Sequence, residues 1–169
     1  MNIREIKADE FAKYWDLRLY ALQHSPEAFG RSYEDEIAVP LAERITRMQN
    51  RMSPENIIFV AEEGAQFVGM TGVARIDNPK GQHTAFIWGV YVMPKQRGQK
   101  LGRKLMERAI AQARTWAGVQ QLRLTVVTTN ASARQLYTKL GFVEWGIEPR
   151  ALYVNGVYLD EAHMTLPLD

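Results

Sequence analysis

From Val90 to Ile110 the chain reads VYVMPKQRGQKLGRKLMERAI. A run of β-formers meets a proline and then a short loop. Lys95, Arg97, Lys100, Arg103 and Lys104 crowd that loop and the turn after it, around Gly98 and Gly102. The apolar spacing then becomes helical, with Leu101, Leu105, Ala109, Ala113 and Trp116 on one face. A helix start presents unpaired N–H groups and a partial positive charge. Glycine lets a bound group approach the backbone closely. With Arg and Lys added, such a corner suits a phosphate or pyrophosphate. A solvated basic turn has the same composition, so the loop alone leaves both readings open.

The flanking sequence sets the order of elements. NIREIK alternates as a strand, and Asp9 is expected to cap a helix through EFAKYWDLRLYALQ, with Phe11, Trp15, Leu19 and Leu22 on one stripe. HSPEAFGRSYEDE reads as a loop or short irregular helix, and a second helix, LAERITRMQNRM, follows Pro40. NIIFVAEE and QFVGMTGVARI form a hairpin around Gly64, and HTAFIWGVYVM is another strand. After the basic loop and its helix, QQLRLTVVT is a mostly apolar strand. Asn130 caps a short helix, ASARQLYTKL, and Gly141 stands where a C′ glycine is expected. Strands around ALYV and VYLDEAHMTLPL close the chain through a turn at Asn155-Gly156. The pattern is an α/β (α+β) chain with a mixed sheet covered by helices.

Composition narrows the function. With 169 residues, one domain over 1–169 is the default. The absence of cysteine removes disulfides, thiolate metal sites and a cysteinyl acyl-enzyme together. His24, His83 and His163 show no ligand spacing, so no metal is expected. The net charge of +2 is low for a nucleic-acid binder. The basicity is local, which points to a small anionic ligand. No apolar run approaches a membrane span, and the N-terminus does not read as a signal peptide. A cytoplasmic protein with no nucleic-acid or membrane partner is the expectation.

Two nucleotide motifs fail. A Walker loop needs Gly-Lys-Ser/Thr, and the chain has Gly102-Arg103-Lys104. Gly98 and Gly102 do not make G-x-G-x-x-G. The segment instead resembles the acyl-CoA-binding stretch of the GNAT superfamily of N-acetyltransferases, R/Q-x-x-G-x-G/A. LRLTVVTTNASARQLYTKLGFVEWG resembles the same family's strand, Asn-capped helix with a Leu-Tyr pair, and Gly-Phe. The resemblance implies a central, mostly antiparallel sheet with splayed middle strands, helices on both faces, and acetyl-CoA as co-substrate between the splayed strands. By position it implies that Val90, Tyr91 and Val92 lend backbone groups to the pantetheine arm. Arg97, Gly98, Gln99, Lys100, Leu101, Gly102 and Arg103 would surround the pyrophosphate, Asn130 would reach the pantetheine, and Tyr137 would be the general acid. Lys100 replaces the pattern's first glycine. A helical backbone at Lys100 is the expectation, since positive φ there would carry strain of about 1–2 kcal/mol.

The chemistry identifies the step that needs help. An alkyl amine of pKa ~10.4 is neutral about one part in a thousand at pH 7, a cost of roughly 4–5 kcal/mol. A thiol of pKa ~8.5 leaves with less assistance. The strand before the loop carries no carboxylate, and seven residues of strand, about 23 Å, separate His83 from Val90. Water, or Glu34, Asp35 and Glu36 in SYEDE, are the base candidates. Trp88, Tyr33, Arg150, Tyr153 and Tyr158 are candidates to line an acceptor cleft. The acceptor is a small-molecule or peptide amine of unspecified identity. Homodimers are common in this fold, and no interface signal stands out. A non-catalytic acyl-CoA-binding or sensor module is the rival within the fold, and a basic-loop interaction protein the rival outside it.

Overall fold

The computed structural model describes residues 1–168. The order is β1 (Asn2–Glu5), α1 (Phe11–His24), α2 (Tyr33–Ile37), α3 (Leu41–Arg51), β2 (Asn56–Glu63), β3 (Gln66–Arg75) and β4 (Thr84–Val92). It continues with α4 (Leu101–Arg114), β5 (Gln121–Val127), α5 (Ala131–Lys139), β6 (Val143–Val154) and β7 (Val157–Pro167). The strands form one sheet in the order β1-β2-β3-β4-β5-β7-β6. Every neighbouring pair is antiparallel except β4 and β5. The expected mixed, mostly antiparallel sheet is present.

Two apolar layers hold it. On one face α4 and α5 pack over the sheet, with Leu105, Met106, Ala109 and Ala113 buried against Phe59, Val73 and Leu122. The helical stripe read from Leu101 to Trp116 is buried along its length. On the other face α1 buries Phe11, Tyr14, Trp15 and Leu22 against Ile58, Val60 and Met70. That second layer covers β2–β4; beside β5 and β6 lies the turn Pro26–Ala28, and Thr125, Glu161 and His163 on the same face of β5–β7 are half-buried or exposed.

Three local expectations change. Asp9 lies inside a 3-10 turn, Ala8–Glu10, and Glu10 occupies the N-cap of α1. The Glu10 carboxylate accepts from the Lys7 N–H (2.9 Å) and pairs with Arg4 (2.6 Å), which closes the 3-10 turn and makes no side-chain cap bond to α1. The SYEDE stretch is a short helix capped by Ser32, whose hydroxyl accepts from the Asp35 N–H at 3.0 Å. Strand β6 begins at Val143, well before ALYV, and pairs with β7 through two bulges.

The C-terminal end of α5 follows the sequence. The Phe142 N–H donates to the Tyr137 carbonyl (3.0 Å) and the Gly141 N–H to the Thr138 carbonyl (3.0 Å), with Gly141 at φ +95. This is the Schellman closure expected of a C′ glycine.

Candidate active site

The site begins where two strands part. β4 and β5 share only three register pairs, Thr84–Gln121, Ala85–Leu122 and Phe86–Arg123. β4 then runs on to Val92 without β5 beside it. One cause is a bulge. Tyr91 pairs with Met70 and Trp88 with Gly72, so Gly89 and Val90 stand opposite Thr71 alone. Gly89 has φ +63, a conformation open to glycine and poorly open to other residues. A bulge bends the strand and increases its twist. It also changes which face each later side chain takes: Tyr91 packs in the α1 layer, Val90 and Val92 against the α4 layer.

The opening between β4 and β5 is a cleft of about 1320 Å³ that passes through the sheet. Its wall on one side comes from Leu101, Gly102, Ala133, Leu136 and Tyr137, of the α4–α5 layer. On the other side stand Arg18, Phe29 and Trp88, with Glu161 and His163 from β7. Trp88 lies against Gly72: a Cβ at Gly72 would come within 2.1 Å of its ring.

The sequence-predicted donor residues gather at one mouth. Val90, Tyr91 and Val92 line it from the unpaired stretch of β4. Arg97, Gly98, Lys100, Leu101, Gly102 and Arg103 line it from the loop and the first turn of α4. Gln99 is exposed in the same turn and does not line the cleft. The first backbone bond of α4 runs from the Lys104 N–H to the Lys100 carbonyl (3.1 Å), so the N–H groups of Leu101, Gly102 and Arg103 precede the helical ladder. The Arg97 Nε–H donates to the Val92 carbonyl (3.1 Å), and its guanidinium stands 5.7 Å from the Tyr91 ring centroid. Arg103 pairs with Glu107 at 2.7 Å on the helix surface.

Lys100 departs from the sequence expectation. Its backbone is left-handed, φ 60 and ψ 15, and it is the N-cap of α4. With Gly98 at φ +78, the loop has two positive-φ residues just before the helix. That curvature turns successive N–H groups toward one side, the geometry of an anion nest. Lys100 therefore occupies a glycine-type conformation and bears strain of about 1–2 kcal/mol.

Asn130 caps α5, its Oδ1 accepting from the Ala133 N–H (3.2 Å) and the Ser132 hydroxyl (3.1 Å). It also lines the cleft. Tyr137 is buried, with Phe142 beside it at 6.1 Å between ring centroids, and it lines the cleft. Burial pushes its phenol up to about 12, so the proton stays on oxygen at neutral pH.

The acceptor-side candidates fare differently. Glu34, Asp35 and Glu36 sit on α2 and do not line the cleft, because the helix capped by Ser32 carries them away from it. Trp88 lines the cleft, whereas Tyr33, Arg150, Tyr153 and Tyr158 do not. Tyr153 and Tyr158 pack on each other, 4.7 Å between centroids, at the exposed end of the β6–β7 hairpin. The carboxylates that do line the cleft among the described residues are Glu27 and Glu161. Arg18 also lines it, its guanidinium 4.3 Å from the Phe29 centroid and its Nη1 buried without a partner. None of these three was singled out from sequence. The signal available was alternation in β7, where Glu161, His163 and Thr165 face away from buried Ala162, Met164 and Leu166.

Residues 9–142 match the Acetyltransferase (GNAT) family. The chain belongs to that family. It is 30% identical over 112 residues to an L-methionine sulfoximine/L-methionine sulfone acetyltransferase of Salmonella typhimurium, covering 66% of this chain and 65% of that protein. It is 26% identical over 106 residues to a spermidine N(1)-acetyltransferase of Vibrio cholerae, covering 63% and 60%. The chain thus spans just under two thirds of the length of these curated relatives. The solved acetyltransferase yncA of Salmonella typhimurium, in complex with its cofactor acetyl-CoA, superposes with a TM-score of 0.84 at 26% identity, over 100% of this chain and 94% of that one. The splayed sheet accounts for why the basic loop, the free β4 edge and Tyr137 meet at one cleft. No helix among the described residues is long and apolar enough to cross a membrane.

Proposed function

We propose that this GNAT chain is a single-domain N-acetyltransferase that moves an acetyl group from acetyl-CoA to the primary amine of a small molecule. The observation that carries the reading is the parting of β4 from β5 directly beside the N-terminus of α4. The free edge of β4 at Val90–Val92 offers a strand-like ladder to the two amide groups of a pantetheine arm. For Val92 this requires the Arg97 side chain to release its carbonyl. Arg97, Lys100 and Arg103, with the free N–H groups of α4, fit a pyrophosphate by charge and by donor geometry. Asn130 has its oxygen committed to the helix cap, which leaves its amide nitrogen to donate toward the pantetheine.

Direct attack by a neutral amine on the thioester carbonyl fits the residues present, since the chain has no cysteine to carry an acyl group. Tyr137 lines the cleft and keeps its proton at neutral pH, which supports a role in protonating the departing sulfur. Relatives named for methionine sulfoximine and for spermidine support a small amine as acceptor. The test is thiol release from acetyl-CoA across a panel of amino acids, polyamines and peptides. Acceptor-dependent thiol release supports the reading. A chain that binds acetyl-CoA and acetylates nothing in the panel is instead the non-catalytic module of the same fold.

A further inference from the structure

Resting on the acetyltransferase reading, we propose that Glu161 on β7 is the residue that takes the proton from the incoming ammonium group. The argument starts from what is missing. β4 carries no carboxylate, and the three acids of α2 do not line the cleft. A primary amine must still lose a proton before it can attack.

Glu161 lines the cleft on the side away from the basic loop. It is the register partner of Val127, the last residue of β5, and of Glu148 on β6. Its neighbours along β7, Ala162 and Met164, point into the core, so Glu161 and His163 point to the open face of the sheet. Phe29 and Trp88 close that side of the cleft from across the opening. Adjacent strands lie about 4.8 Å apart, so a carboxylate one strand beyond β5 is within reach, through one water, of an amine held in the cleft against β5.

The groups facing Glu161 are Thr125 from β5, Glu148 from β6 and His163 on its own strand. Glu27, on the turn Pro26–Ala28 that packs over β5 and β6, shares the cleft. Burial raises the Glu161 carboxyl above its ordinary range; His163 opposes this, Glu148 adds to it and a hydrogen bond from Thr125 opposes it. His163 itself sits 3.0 Å from Glu148 on the neighbouring strand. The net result is a carboxylate of greater basicity than a solvated one, which suits proton abstraction.

The acceptor enters as R–NH3+. One proton passes through water to the Glu161 carboxylate and frees the nitrogen lone pair. That pair forms the C–N bond at the thioester carbonyl carbon, and the C–S bond breaks with its electrons on sulfur. Tyr137 gives its phenolic proton to the sulfur, and the surplus proton on the new amide nitrogen restores Tyr137 through water. Glu161 releases its proton to solvent, so one proton leaves per turnover.

The experiment compares wild type with Glu161→Gln, Glu161→Asp and Glu27→Gln, using the best acceptor from the amine panel. Each is measured for kcat/KM against pH and for thermal shift with acetyl-CoA. Glu161→Gln is expected to keep the acetyl-CoA shift and to lose about 10²–10⁴-fold in kcat/KM at neutral pH. Its rate is expected to climb with pH as the amine deprotonates itself, without the plateau of the wild type. Glu161→Asp, with the carboxylate retained, is expected to recover part of the loss and the plateau. A Glu161→Gln profile that overlays wild type overturns the proposal, as does a plateau lost in Glu27→Gln and kept in Glu161→Gln. A wild type that shifts with acetyl-CoA but releases no thiol with any amine overturns the transferase reading, and this proposal with it.

Discussion

Phe86 and Arg123 are the last register partners of β4 and β5, and the cleft opens immediately beyond them. Up to that pair the sheet is continuous; past it, β4 keeps β3 on one side and has nothing on the other. No strand pairs with Val90–Val92 on that side, and the Val92 carbonyl there accepts from the Arg97 side chain. A strand edge with no neighbouring strand is a template on which an extended ligand can pair.

Gly102 tests the phosphate corner. A Cβ at Gly102 would lie 3.6 Å from Leu136 and 3.7 Å from Val92, ordinary contacts, so the fold accepts a side chain there. An acidic residue in the first turn of a helix is favourable by roughly 0.3–1 kcal/mol. Gly102→Asp is therefore expected to melt at or above the wild-type temperature. The same charge repels a pyrophosphate, so acetyl-CoA affinity should fall at least tenfold. Calorimetric titration beside a thermal melt measures both, and unchanged affinity would reduce the loop to a basic turn.

Lys100 separates strain from charge. Its left-handed backbone is present before any donor arrives. Relief of that strain belongs to the folding equilibrium, and loss of the ammonium belongs to binding. Lys100→Gly is expected to raise unfolding stability by about 1 kcal/mol. It is expected to weaken acetyl-CoA binding several-fold at low salt, with the difference shrinking as salt screens the pair. Denaturant unfolding and a salt series of titrations read the two effects independently. A destabilised Lys100→Gly would contradict the strain.

Tyr137→Phe keeps the ring and its contact with Phe142 and removes the phenolic proton. Turnover is expected to fall about 10²-fold or more, within the range of general acid catalysis, with acetyl-CoA affinity preserved. The loss should shrink for an acyl donor whose thiol is more acidic, since that thiolate leaves with less help. Steady-state rates with two such donors decide it. Wild-type turnover in the variant would remove Tyr137 from the mechanism.

The same residue predicts alkaline behaviour. An ordinary tyrosine titrates near pH 10, and burial raises Tyr137 to about 12. The folded state holds the proton more tightly than the unfolded state does. Tyr137's contribution to stability is therefore complete below pH 10 and is lost as pH rises from 10 to 12, a change of about 3 kcal/mol. Tyr137→Phe lacks this dependence. Urea unfolding of both proteins at pH 9 and pH 11.5 should show the wild type losing more stability over that interval than the variant. Parallel losses would show that the phenol is not shielded.

Legibility from sequence followed locality. The strand, basic loop and helix around α4 were readable because charge, glycine and period all change within a few residues. The hairpin turn at Asn155-Gly156, with φ values of 50 and 82, and the closure at Gly141 follow from single-residue conformational preference. Lys100 differs from the expectation because a lysine argues against positive φ; the glycine that it replaces in the family's pattern was the signal for the left-handed turn. The early start of β6 was missed because Gly146, Pro149 and scattered charges dilute its pattern; its length comes from pairing with β7. Glu161 is the deepest case. Its polarity was visible, but its position depends on β7 entering the sheet beside β5, a pairing made across distant sequence.

The cleft's passage through the sheet gives the molecule a front door and a back door. In the proposed function the handle of the donor is gripped on the α4 side by backbone and fixed charge, and the chamber on the α1 side is shaped by Phe29, Trp88 and the polar face of β7. In the proposed function only the acetyl group of the donor is visible from that chamber. A lineage that redraws the chamber changes what is acetylated while the grip on the donor is inherited unchanged, and a product can leave by its own door with the spent thiol still in place.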